Sequence, residues 1–176
     1  MHRHTPKEGF GPGGISSAMW KLPEAVTLVA GHGEGGSEIN AFDRALQNAG
    51  IADMNFLRVT SIFPRGARVI ELPPYPAGIL MPAVYARITS TRPGERITAA
   101  LGIGIARETH GVIMEHSGVL SRADGERAVR RMVAEAFENR GLTLSEILVA
   151  AAEHTVERAG CAVAVALLWP RPGGLE

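Results

Sequence analysis

The sequence predicts an α/β fold: a layered α-β-β-α sandwich of mixed and antiparallel sheets with two long helices. Three observations point to it. Several apolar, β-branched segments lack the polar alternation of a half-solvated strand, GCAVAVALLW above all, so the sheets must be covered on both faces. Only two long segments, 37–48 and 122–139, repeat apolar residues at helical spacing. Two helices cannot cover both faces of that much strand, so sheet must pack on sheet, with subunit contacts completing the burial.

The elements follow in chain order. Residues 1–18 are rich in Gly and Pro and read as a disordered tail; a single domain spans 19–170, and 171–176 form a flexible C-terminus. EAVTLVA is a β-branched strand, and GHGEGGS after it reads as a loop. The helix at 37–48 places Ile39, Phe42, Leu46 and Ala49 on one face, with Gly50 as a stop. Residues 54–59 form the next strand, ARVIEL a short one, and the prolines of LPPYPAG a rigid loop. GILMPAVYARITS, ERITAALGIGIA and HGVIMEH are three long strands, with Pro82 marking an edge or a bulge in the first. The second helix, 122–139, has Ala128, Met132, Val133, Ala136 and Phe137 on one face, Ser121 as cap and Gly141 as stop. Two strands, about 146–156 and 161–169, close the chain.

Composition narrows the function. The chain has 176 residues, 45% hydrophobic and 20% charged, as expected of a soluble globular domain. Eighteen basic residues balance eighteen acidic ones, so neither nucleic acid nor an anionic membrane is an expected partner. The single cysteine, Cys161, excludes an intramolecular disulfide and sits in an apolar run as a buried, inert thiol. No secretory signal and no spanning segment is evident, so the expected compartment is the cytoplasm. No metal is expected: His2 and His4 lie in the tail, and His110 and His116 lack partners at ligand spacing.

Five groups of residues carry candidate chemistry. Gly31, Gly33 and Gly36 spell G-x-G-x-x-G between a strand and a helix, the outline of a nucleotide-binding turn. Glu34 and Glu38 put negative charge where a phosphate would sit, and Asp53 begins the following strand instead of ending it, so this reading is the weaker one. Asp43, in the first helix, is either a capping or dipole-favoured acid or a ligand for a cation. Glu115, near a strand end beside Ile113 and Met114, would be a general acid if it points inward, and a solvated side chain if outward. Glu153 and His154 make a polar strand end or an interface pair. Finally, Thr60 and Ser61 stand where an apolar strand stops in FLRVTSIFP; taken alone the pair is an ordinary hydroxyl turn.

Taken together, INAFDRALQNAGI, NFLRVTSIFP, IMEHSG and EHTVERAGCAVAVALLW resemble the pyruvoyl-dependent arginine decarboxylases, in the right order from about Lys21 to Trp169. The resemblance implies a precursor that cuts itself between Thr60 and Ser61, leaving a covalent pyruvoyl group made from Ser61. Thr60 departs from the family's more usual serine; it contributes only its carbonyl, so the change bears on processing rate. Asn55 matches a processing residue, Asp43 the acid for the substrate guanidinium, and Glu115 the proton donor. The implied reaction converts L-arginine to agmatine and carbon dioxide, in trimers or pairs of trimers with sites between subunits. A relative acting on another amino acid, such as aspartate, is the nearest alternative; it would want a cation where Asp43 stands.

Overall fold

The structure, a computed structural model, describes residues 22–170. The readings of both termini, including His2, His4 and the start of order near Met19, lie outside the described residues. The elements are β1 (Ala25–Glu34), α1 (Glu38–Asn48), β2 (Asn55–Arg58), β3 (Ile62–Phe63), β4 (Arg68–Val69), β5 (Leu80–Ser90), β6 (Arg96–Ile105), β7 (Gly111–Val119), α2 (Arg122–Asn139), β8 (Glu146–Thr155) and β9 (Gly160–Trp169). They form a five-stranded sheet, β2-β5-β9-β1-β4, and a four-stranded sheet, β3-β7-β6-β8. The first is mixed, since β2 runs parallel to β5 and β4 parallel to β1; the second is antiparallel throughout.

Strand β9 shows why four layers form. All ten of its residues are buried. Its even positions, Ala162, Ala164, Ala166 and Leu168, meet Ile97, Ala99, Leu101, Ile103 and Ile113 of the second sheet. Its odd positions, Val163, Val165 and Leu167, meet Ala41, Ala45 and Leu46 of α1 on the other side. With period-two alternation, a strand apolar at every position must be covered on both faces. On the far side, Val129, Val133 and Phe137 of α2 close over the second sheet. The expected α-β-β-α layering is the one observed.

Three local expectations are corrected. The stretch read as a glycine loop is strand: Gly31, His32, Gly33 and Glu34 complete β1, in register with Val163 to Gly160 of β9. A Cβ at Gly31 would stand 2.4 Å from the Ala45 carbonyl oxygen, and one at Gly33 would stand 2.8 Å from the Ala45 nitrogen. Gly31 and Gly33 thus let helix and strand backbones approach, so two of the three glycines serve packing, while a Cβ at Gly36 would meet nothing within 4 Å. The same closeness changes the buried face of α1. The helix docks through Ala41, Ala45, Leu46 and Ala49, while Ile39, expected inside, is 64% exposed. Pro82 marks neither an edge strand nor a bulge. β5 lies between β2 and β9, but its ladder with β9 begins only at Ala83, opposite Leu167, so no bond there requires an N–H from Pro82.

The two sheets are clasped at one end by Glu34. One of its oxygens lies 2.6 Å from His154 Nε2 on β8 and accepts the Glu157 N–H; the other accepts the N–H groups of Arg158 and Ala159. His32 stacks on His154 with ring centroids 5.0 Å apart. Partial burial pushes the Glu34 carboxyl up, but the Glu157, His154 and Arg158 bonds outweigh it and hold it below its ordinary 4.5. Burial, then the neighbouring His154, lowers His32 from its ordinary 6.5. A depressed carboxylate stabilises the fold above its unfolded value and loses that contribution as pH falls; a depressed histidine likewise favours the unfolded chain once it must protonate. Both signs agree, so thermal stability should decline first below about pH 6.5 and further below about 4.5, the ordinary values of the two groups. In melts across this range, Glu34→Gln should be less stable at pH 7 and lose the steeper acid limb. An unchanged acid limb would remove Glu34 from the clasp.

Candidate active site

The chain changes sheets at Thr60 and Ser61. Strand β2 belongs to the first sheet, and the Val59 N–H still donates to Ala83 O there, at 3.0 Å. Strand β3 belongs to the second sheet, where the Ile113 N–H donates to Ser61 O at 2.9 Å. The Thr60–Ser61 peptide lies between these anchors, outside both ladders. Thr60 is exposed and Ser61 half-buried. The Ser61 N–H has no backbone partner among the described residues, so breaking the bond at that nitrogen costs no ladder hydrogen bond.

Beside this crossing the sheets leave a crevice. β2 pairs only with residues 80–83 of β5, and β3 only with the first two residues of β7, so both longer strands run on with open edges. The crevice, about 340 Å³, is lined by Arg58, Tyr85, Arg87, Glu115, His116 and Ser117 among others. The Ser117 hydroxyl donates to Arg87 O at 3.2 Å, tying the two edges together.

Glu115 lies on the face of β7 that carries Ile113 into the core, opposite Leu101 of β6. The inward orientation is therefore found. The side chain is nevertheless 27% exposed, and its Oε1 stands 3.7 Å from Arg58 Nη2. Arg58 in turn lies over the Tyr85 ring, 4.9 Å from its centroid, with Nη2 3.5 Å from Tyr85 O. Arg87 reaches the other way and covers the Phe42 ring of α1 at 4.3 Å. Sequence reasoning missed Arg58, Tyr85 and Arg87. The available signal was Arg58 itself, a cation three residues before Ser61 and flanked by Phe56, Leu57 and Val59.

Asp43 and Asn55 lie elsewhere. Asp43 is exposed on α1, where its Oδ2 accepts from Gln47 Nε2 at 2.6 Å. It does not cap the helix: Ser37 is the cap, accepting the Asn40 N–H, and Glu38 is the first-turn acid. No hydrogen bond or ion pair links Asp43 to the crevice among the described residues. Asn55 begins β2, its Nδ2 donating to Gly78 O at 3.0 Å. Glu153 and His154 resolve into structural roles: Glu153 accepts the Arg122 N–H at the start of α2, and His154 belongs to the clasp. Burial pushes the Cys161 thiol up to about 12, which leaves it unreactive at neutral pH.

Fold and site together define a class: an α-β-β-α domain with an unladdered Thr-Ser peptide at the crossing between its sheets and a crevice that holds a carboxylate. Comparison with known proteins narrows it. The chain matches the family model of pyruvoyl-dependent arginine decarboxylase over residues 25–171. It belongs to that family. It is 47% identical over 154 residues to a pyruvoyl-dependent arginine decarboxylase of Methanocaldococcus jannaschii, covering 86% of this chain and 93% of that one. It is 40% identical to its counterparts in Methanococcus aeolicus, covering 85% of this chain and 92% of that one, and Thermococcus kodakarensis, covering 86% and 98%. The family implies carboxy-lyase chemistry on a covalently bound pyruvoyl group. Ser61 fits as its source: a half-buried serine on an unladdered peptide, its carbonyl held by Ile113, two residues before Glu115 of the crevice lining. No helix among the described residues is long and apolar enough to cross a membrane.

Proposed function

We propose that the chain, as one self-processing domain over residues 19–170, cuts itself between Thr60 and Ser61 and then decarboxylates L-arginine to agmatine and carbon dioxide. The observation that supports this most directly is the Thr60–Ser61 peptide at the sheet crossing, beside the crevice that holds Glu115, in a chain of this family. The pyruvoyl group derived from Ser61, once formed, supplies the electron sink for loss of carbon dioxide. The chain's own residues do the rest. Glu115 delivers the proton to the carbon that has lost its carboxylate. Arg58, 3.7 Å away, orients the Glu115 side chain. Intact mass of the purified protein, with agmatine release from arginine, tests the reading. A single full-length mass in a folded, soluble sample would contradict it.

Asp43 and Asn55 act, on this reading, from a neighbouring subunit in a trimer or pair of trimers. Three features support an assembly: the open edges of β5 and β7, the exposed Ile39 one turn from Asp43, and the exposed Leu57 of β2 and Leu80 at the start of β5. The site is read as cytoplasmic, in keeping with one free, buried cysteine. A carboxylate matches a guanidinium in a forked, charge-assisted pair. Asp43→Asn keeps the volume and removes the charge, so arginine binding should weaken roughly ten- to a hundredfold. Lysine lacks the fork and should be a poor substrate even for the parent enzyme. An unchanged arginine-to-lysine ratio of kcat/KM in a correctly cleaved Asp43→Asn protein would reopen the choice of substrate.

A further inference from the structure

We infer that the backbone N–H of Ile62 is an oxyanion donor for self-cleavage; this rests on the proposed cut between Thr60 and Ser61. The Ile62 N–H donates to the Thr60 carbonyl oxygen at 3.1 Å. A bond between residues two apart closes a three-residue turn, with Ser61 at its centre. No non-glycine residue among those described has a positive φ, so this is the inverse, unstrained form of the turn. The N–H is free for this task because the adjoining contact with β7 is made by the Ile113 N–H and Ser61 O.

The oxygen it faces is the one that must take up charge. Ser61 Oγ forms a bond to the Thr60 carbonyl carbon, and the carbonyl π pair moves onto Thr60 O. As the pair returns, the Thr60 C–Ser61 N bond breaks. The proton lost by Oγ passes to the nitrogen, leaving an ester and a free amine. Between the two events Thr60 O carries a full negative charge, and a charge-assisted hydrogen bond is about twice as strong as a neutral one. The Ile62 N–H therefore binds the intermediate more tightly than the starting amide, which is the condition for accelerating the step.

Asn55 does not fill this place within its own chain. Its side-chain amide is bonded to Gly78 O and its backbone N–H to Ile79 O, at the far end of β2. At about 3.3 Å per residue, an extended chain puts it roughly 15 Å from Thr60.

The test replaces the Ile62 N–H by oxygen, incorporating the α-hydroxy analogue of isoleucine at position 62 during cell-free translation. The side chain is kept and one donor is deleted. The control is the same exchange at Val59, which deletes the neighbouring bond to Ala83 O. Rates of cleavage between Thr60 and Ser61 are read by intact mass, which also separates this cut from hydrolysis of the introduced ester. The Ile62 ester should be cut roughly a hundred- to a thousandfold more slowly than the Val59 ester, the usual loss for one oxyanion donor. Equal rates for the two esters would overturn the assignment. A parent chain that stays whole would instead sink the self-cleavage reading, and the Ile62 role with it.

Discussion

Ser61→Ala will leave the chain whole. The parent should resolve into a short chain ending at Thr60 and a longer one whose N-terminus is blocked; the variant should show one full-length mass and no decarboxylation. The expected loss is complete because the hydroxyl is the nucleophile that opens the peptide, and its oxygen then departs with Thr60 by β-elimination, leaving the Ser61 carbons from which the prosthetic group forms. It will not come from misfolding. The bonds that fix the crossing, Val59 N–H to Ala83 O and Ile113 N–H to Ser61 O, are all backbone, and Ser61 is half-buried. Alanine keeps each of them and removes only Oγ. A Ser61→Ala chain still cut at this point would refute attack by the side chain.

Glu115→Gln separates making the group from using it. The amide keeps the shape of the side chain and still presents an oxygen to Arg58, now 3.7 Å away. Nothing in the cleavage chemistry at Thr60 and Ser61 calls on Glu115, so the variant should process to completion. It cannot donate a carboxylic proton, and turnover should fall by roughly two to four orders of magnitude, the usual scale for a lost general acid. The diagnostic result is the split: full cleavage by mass, with kcat collapsed. Turnover close to the parent's would remove Glu115 from the role. Loss of cleavage would move it to the processing step.

The glycines after β1 show where a sequence pattern misleads. Spacing alone cannot tell a glycine that admits a ligand from one that admits a helix, since both require the absence of Cβ. At Gly31 and Gly33 the intruding atoms belong to Arg44 and Ala45 of α1 and to Ala49, its C-cap, eleven or more residues away in the chain. On α1 only Ile39 failed, for the same cause; Leu46 and Ala49 are buried and Phe42 packs against them as expected. Periodicity correctly marks a helix, but which of Ile39 and Ala41 goes inside depends on how near the partner strand comes. Asp43 is a third case: its two readings were even in the sequence, and the Ser37 cap decides against capping.

The elements and the layering are legible in the chain, because period, caps and unbroken apolar runs are local signals, and strands such as β9 have no stable place except between two layers. The sequence also placed the chemistry in the right family through four ordered blocks. Only the tertiary structure decided how those residues meet. It set the Thr60–Ser61 peptide between two ladders of different sheets. It brought Arg58 of one sheet against Glu115 of the other, and turned the Ile62 N–H back onto the Thr60 carbonyl. The physical reason is that strand pairing joins segments far apart in sequence. The crevice exists only where two short strands stop alongside two longer ones, a difference in length that no local pattern encodes.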